Sequence, residues 1–152
     1  MLFVLLAIAF QVPSQPVDPS VYLSFFQAAI HRDAAVNSDQ PSIGDALSIT
    51  PTEADSLVQL AALCEGDICM LDARASALVF ESRLQAAAND KPSEKVAAQL
   101  LELESKRTSI IEGYVQRMKA SLTAEAFSRV TDYVRTHANG GYFPTSAVLK
   151  KL

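Results

Sequence analysis

Two cysteines occur in this chain of 152 residues, five positions apart in the stretch Cys64-Glu65-Gly66-Asp67-Ile68-Cys69. Thiols of this kind can pair as a disulfide, ligate a soft metal, or act as nucleophiles when their pKa is lowered. Spacing narrows the choice. In a straight α-helix, Cα atoms five residues apart lie roughly 8–9 Å from each other, whereas a disulfide needs less than about 7 Å. A Cys64–Cys69 bridge therefore requires the helix to break, with Glu65-Gly66-Asp67 as the turn. An oxidising compartment would favour that bridge. The apolar spacing around it favours an unbroken helix, with Cys64 toward the core and Cys69 to one side. Cys-x4-Cys is not a standard zinc spacing, and His31 and His137, near opposite ends of the chain, are the only histidines that could complete a set. No metal site and no cofactor is expected; Cys64 and Cys69 stand as a redox candidate. The chain carries no G-x-S-x-G, P-loop, H-E-x-x-H or glycine-rich cofactor turn. An enzyme is not expected.

The elements that must position these residues are helical. Apolar residues make up 49% of the chain, many of them alanine, with five glycines and no tryptophan, a composition that favours close-packed helices over a sheet. The net charge of −4 argues against a nucleic-acid partner. The first ten residues, MLFVLLAIAF, are unbroken apolar, and no charged side chain precedes Asp18. That run is too short for a membrane span, which needs about 20 residues. Residues 1–14 read as a signal peptide, with Val12 and Ser14 as small residues at the cleavage site. The expected location is periplasmic or secreted, with no stable transmembrane segment after signal removal. Residues 15–18 read as a connector, 19–141 as the helical domain and 142–152 as a C-terminal tail.

Within that domain the periodicity predicts four helices. Asp18 caps the first, about Pro19 to Val36, whose face carries Tyr22, Phe25, Phe26, Ala29 and Ile30. Residues 37–49 read as an ordered loop. Thr50-Pro51-Thr52-Glu53 is a capping box with proline at the first helical position. It opens a second helix whose seam, Leu57, Ala61, Cys64, Ile68, Leu71, Ala75 and Leu78, alternates steps of four and three, as a partner helix requires. Ser93 caps the third helix, buried through Val96, Leu100, Leu103, Ile111, Tyr114, Val115, Met118 and Leu122. Thr123 caps the fourth, with Phe127, Val130, Val134 and His137 on one side; Asn139-Gly140-Gly141 ends it. Asp67, Asp72 and Glu81 read as solvated carboxylates. Charge is split: residues 18–83 carry ten acidic and three basic side chains, and residues 84–152 carry seven and ten. The second and third helices are thereby electrostatically complementary. The fold expected is all-α, a long antiparallel helical hairpin flanked by two shorter helices.

Two helix starts look alike: Ile49-Thr50-Pro51-Thr52-Glu53 and Leu122-Thr123-Ala124-Glu125-Ala126. This pattern resembles the LTxxQ motif of the Spy/CpxP-like small periplasmic helical proteins, with Glu53 and Ala126 where that motif has glutamine. The resemblance implies a helical-hairpin protein that acts as a chaperone or as a stress or metal sensor. Leu57, Leu71, Leu78, Leu100, Ile111 and Val115 would then be core. The expected function is an exported, non-enzymatic, chaperone-like binding protein that uses the hairpin's concave face. Its partner is a protein client or a second copy in a homodimer. The alternative is an envelope redox or metal sensor using Cys64 and Cys69.

Overall fold

The structure, a computed structural model, describes residues 17–34, 41–89 and 94–137. Among these residues there is no strand. Five helices follow one another: α1 (Pro19–Ala34), α2 (Ile43–Leu47), α3 (Pro51–Asn89), α4 (Glu94–Ser121) and α5 (Ala124–His137). The leader 1–14, the tail 142–152, the cap Ser93, the end of the first helix at Val36 and the stop at Asn139 to Gly141 lie outside the described residues.

α3 and α4 form the expected antiparallel hairpin, and its polar cross-links show the direction. Glu53 meets Thr123, Asp67 accepts a 2.8 Å hydrogen bond from the Tyr114 hydroxyl, and Asp72 lies 3.4 Å from Nε of Arg107. Partner numbers on α4 fall as those on α3 rise. Asp67 and Glu81 are exposed and Asp72 keeps about half of its side chain in solvent, as the sequence leads one to expect, but Asp67 and Asp72 also each hold a partner on α4, whereas Glu81 lies beside Gln85 of its own helix. Arg107 occupies the seam position between Leu103 and Ile111 and is buried, a place that the apolar pattern skips. A buried guanidinium held by a carboxylate costs desolvation, and it also penalises any register that would separate the two.

The core sits at one end of this hairpin. α1 lies against both long helices, and its Leu23 and Phe26 are fully buried with Leu57 and Cys64 of α3, Ile111 and Met118 of α4, and Val130 and Val134 of α5. Tyr22, Phe25 and Ala29 are buried beside them, and Ile30 is half-buried, so the aromatic face of α1 is a docking face. Full burial of a side chain such as Leu23 or Phe26 contributes about 1.5–3 kcal/mol. Beyond Ile68, among the described residues, α3 and α4 have only each other. There Leu71, Ala75 and Leu78 on α3 are half-buried, while Val96, Leu100 and Leu103 of α4 are buried in the seam; Val115, half-buried, packs against the shared core instead. On α5 the inward face is Ala126, Val130 and Val134; Phe127 is half-buried and His137 is exposed, stacked on Tyr133 at 4.2 Å.

Part of the segment read as a loop is helical. Ser42 caps α2 by accepting a hydrogen bond from the Asp45 amide at 3.1 Å, and Ile43 and Leu47, one turn apart, are buried. A single turn with two apolar anchors is too short to show a period, so the sequence reading missed it. α2 ends at Ser48 in the left-handed region, φ 52°, and the Ser48 carbonyl accepts a hydrogen bond from Arg129 of α5. Gly44 lets α2 lie close to α3: a Cβ there would be 3.2 Å from that of Ala54.

The two similar helix starts are neighbours. One Glu53 carboxylate serves both. Its Oε2 accepts from the Thr50 amide at 3.0 Å and the Thr50 hydroxyl at 2.8 Å; its Oε1 accepts from the Thr123 hydroxyl at 2.8 Å and the Thr123 amide at 3.2 Å. The Thr50 hydroxyl in turn accepts from the Glu53 amide, and the Thr123 hydroxyl caps α5 by accepting from the Ala126 amide. Two partly positive helix ends thus share one anion. The backbone amide of Thr50 first, then the hydroxyl of Thr123, hold the Glu53 carboxyl down to about 2 from an ordinary 4.5. The sign follows from the depressed value: the contribution is complete above about 4.5 and is lost as the pH falls through about 2. Glu53→Gln should therefore be less stable than wild type at pH 7, with the gap closing between about pH 4.5 and 2. Paired denaturant titrations across that window measure it. A pH-independent gap would contradict the shared-anion account.

Candidate functional site

α3 runs without interruption through Cys64 and Cys69, and both thiols are free. Cys64 is fully buried, and burial, followed by the charge of Asp67, pushes its pKa up to about 11. It stays protonated and unreactive at neutral pH. Cys69 is exposed. Because the helix is continuous, the geometry that excludes an i, i+5 disulfide applies. Gly66, the residue that would have to kink, has open space where a Cβ would go. Among the described residues no three His, Cys, Asp or Glu side chains gather as metal ligands. The cap residues Thr50, Glu53 and Thr123 lie together at the base of the hairpin, remote in sequence from the cysteines, and their groups are occupied with one another.

A feature that the sequence reading did not single out is a second seam on α3. Leu63, Met70, Phe80 and Leu84 are large apolar side chains in solvent, exposed by 52, 75, 65 and 58%. Between and after them fall four small residues, Gly66, Ala73, Ala77 and Ala87, all exposed. From 63 to 87 these eight positions advance by three and four alternately, the spacing of a coiled-coil face. At 100° per residue they lie roughly opposite the inner seam of Ala61, Cys64, Ile68, Leu71 and Ala75. No charged residue interrupts them: Asp67, Asp72, Arg74, Glu81 and Arg83 all fall at flanking positions. Apolar residues on two opposite faces cancel in any test of one-sided amphipathicity, so α3 reads as a single-seam helix unless both phases are counted. The stripe spans about 36 Å of helix. A patch of four large apolar side chains in one line is at the upper end of what a soluble monomer leaves uncovered, and such a patch marks an interaction surface.

Compared with protein-family models, curated proteins and solved structures, the chain matches none. Among the described residues no helix is long and apolar enough to cross a membrane.

Two outcomes test this geometry. Native alkylation should modify Cys69 and leave Cys64 at least about 100-fold slower, with both modified after unfolding; a mass two units low with no free thiol would mean that α3 is broken. Gly66→Ala should raise stability by roughly 0.5–1 kcal/mol, since it fills open space in a helix interior. A loss of stability would mean that Gly66 is needed as a bend.

Proposed function

We propose that the chain is an exported, non-enzymatic, chaperone-like helical protein that binds apolar segments of other proteins through the outer face of α3. The observation that carries this reading is the exposed stripe from Leu63 to Ala87, turned away from α4 and free of charge along its line. Its chemistry suits an amphipathic helix or a short apolar segment of a client. Large side chains at Leu63, Met70, Phe80 and Leu84 supply apolar area, and the small residues between them leave notches for the client's own side chains. Export rests on the apolar leader at residues 1–14. The Spy/CpxP-like resemblance of the two helix starts agrees with a periplasmic chaperone role.

The test is suppression of aggregation of a heat-labile, unrelated protein, followed by light scattering. Wild type should delay aggregation at near-stoichiometric ratios, and Met70→Glu/Phe80→Glu should lose at least about five-fold in potency, since hot-spot apolar contacts are each worth 1–2 kcal/mol or more. Both positions are exposed, so circular dichroism of the variant should be unchanged. Equal potency of variant and wild type would remove the outer face from the function. Intact mass of protein recovered from the cell envelope reads export directly, with loss of residues 1–14 the expected result.

A further inference from the structure

We propose that the outer face of α3 is a self-docking surface, on which a second copy of the same helix packs antiparallel and masks the stripe from Met70 to Ala87. This rests on the reading of that face as the binding surface and names its resting occupant. The argument is one of size and charge. A regular 3-4 spacing over the six positions from Met70 to Ala87 is what a straight partner helix demands, because only a helix presents side chains at that repeat along about 26 Å. The question is which helix fits. Aligned antiparallel about a two-fold axis between residues 78 and 79, α3 fits itself. Met70 then meets Ala87 of the second copy, Ala73 meets Leu84, and Ala77 meets Phe80, and symmetry repeats each pair. Every one of the six layers sets a large side chain against an alanine, the arrangement that fills a helix–helix interface without gaps or overlap.

Charge selects the same register. Asp67, Arg74 and Glu81 stand seven apart along one flank of the stripe, exposed, with alternating sign. In the alignment above, Arg74 of each copy faces Glu81 of the other, giving two symmetric attractive pairs. Slipping the copies by one heptad to centre on residue 75 would set Arg74 against Arg74 and Asp67 against Glu81, which is repulsive throughout. A parallel alignment stacks Phe80 on Phe80 and Ala77 on Ala77, alternating crowding with voids, and brings no opposite charges together. Lys106 chiefly, and to a lesser degree the charge of Arg74, lowers the pKa of Glu102 on α4, and helical phase puts Arg74 on the flank where the second copy's Glu81 would arrive. The interface would bury on the order of 1,000 Å² in total, at the low end for specific association. The dimer is therefore one that exchanges, exposing the stripe when it parts.

Sedimentation of the full chain between 5 and 200 μM, together with charge exchange, provides the test, both concentrations being about the range expected for so small an interface. Wild type should move from monomer toward dimer across that range. Arg74→Glu alone and Glu81→Arg alone should each weaken self-association at least about five-fold, since two attractive pairs become two repulsive ones. Mixed in equal amounts, the two variants should recover a heterodimer, because Glu at 74 then faces Arg at 81 in both symmetric pairs. Both variants change exposed side chains, and unchanged circular dichroism excludes misfolding. Dimers that ignore the charge changes, or variants that do not recover on mixing, would overturn this register and with it the proposal. A wild type that stays monomeric at 200 μM yet loses aggregation suppression in Met70→Glu/Phe80→Glu would overturn self-docking and leave the client-binding reading standing. A monomer with no suppression at all would remove both.

Discussion

One constraint organises this molecule: α3 is longer than the other described helices cover. Its 39 residues span roughly 58 Å, whereas the 16 residues of α1 span about 24 Å. The shared core accordingly takes α3 residues only from Leu57 to Ile68. Past that point one face of α3 has α4, and the opposite face has none of the described residues against it. The outer stripe follows from that shortfall, because its large residues from Met70 onward lie where no third described helix reaches.

The base of the hairpin is built to withstand such an arm. Glu53 ties the start of α3 to the start of α5, Arg129 ties α5 to the end of α2, and the buried side chains of α1 fill the space between. These links close the end where the core is dense. Farther along, the inner seam is punctuated by Asp67 with Tyr114 and Asp72 with Arg107. In a two-helix segment, apolar contacts alone tolerate a slip by a heptad; a buried guanidinium and an anchored phenol do not. Burial, then the hydrogen bond to Asp67, raises the pKa of Tyr114, so it remains a donor at any ordinary pH. Register on the inside is thus specified by polar groups, and the proposed register on the outside by Arg74 and Glu81.

Much of this was legible in the sequence because long helices announce themselves by period and cap. Thr50-Pro51-Thr52-Glu53, the 4-3 seam from Leu57, and Thr123 gave α3, the hairpin and the start of α5. The aromatic face of α1 gave its docking side. The misses share a cause: each is an exception within a pattern. α2 is one turn and has no period. Arg107 holds a seam position with a charge that pattern reading assigns to solvent. Periodicity places Leu71 and Leu78 of α3 in the core, but they are half-buried because a seam facing one helix is covered less than a seam facing three. The outer stripe was hidden by alanines, which count weakly toward any face, and by the stronger seam behind it. Counting steps of three and four from Leu63 would have found it. That one carboxylate spans both similar helix starts was not readable at all, since it joins residues 70 apart.

Hydrogen exchange along α3 as a function of protein concentration tests this account most directly. Amides of residues 51–64 belong to the closed base and should show the same protection at every concentration. Amides of residues 70–87 belong to an arm covered on one side by α4 and, in the proposed dimer, on the other by a second molecule. Their protection should rise as concentration rises, by the factor that dimerisation adds. Protection that is uniform along α3 and independent of concentration would contradict it, and would mean that the long helix is stable in isolation with its outer face left in water.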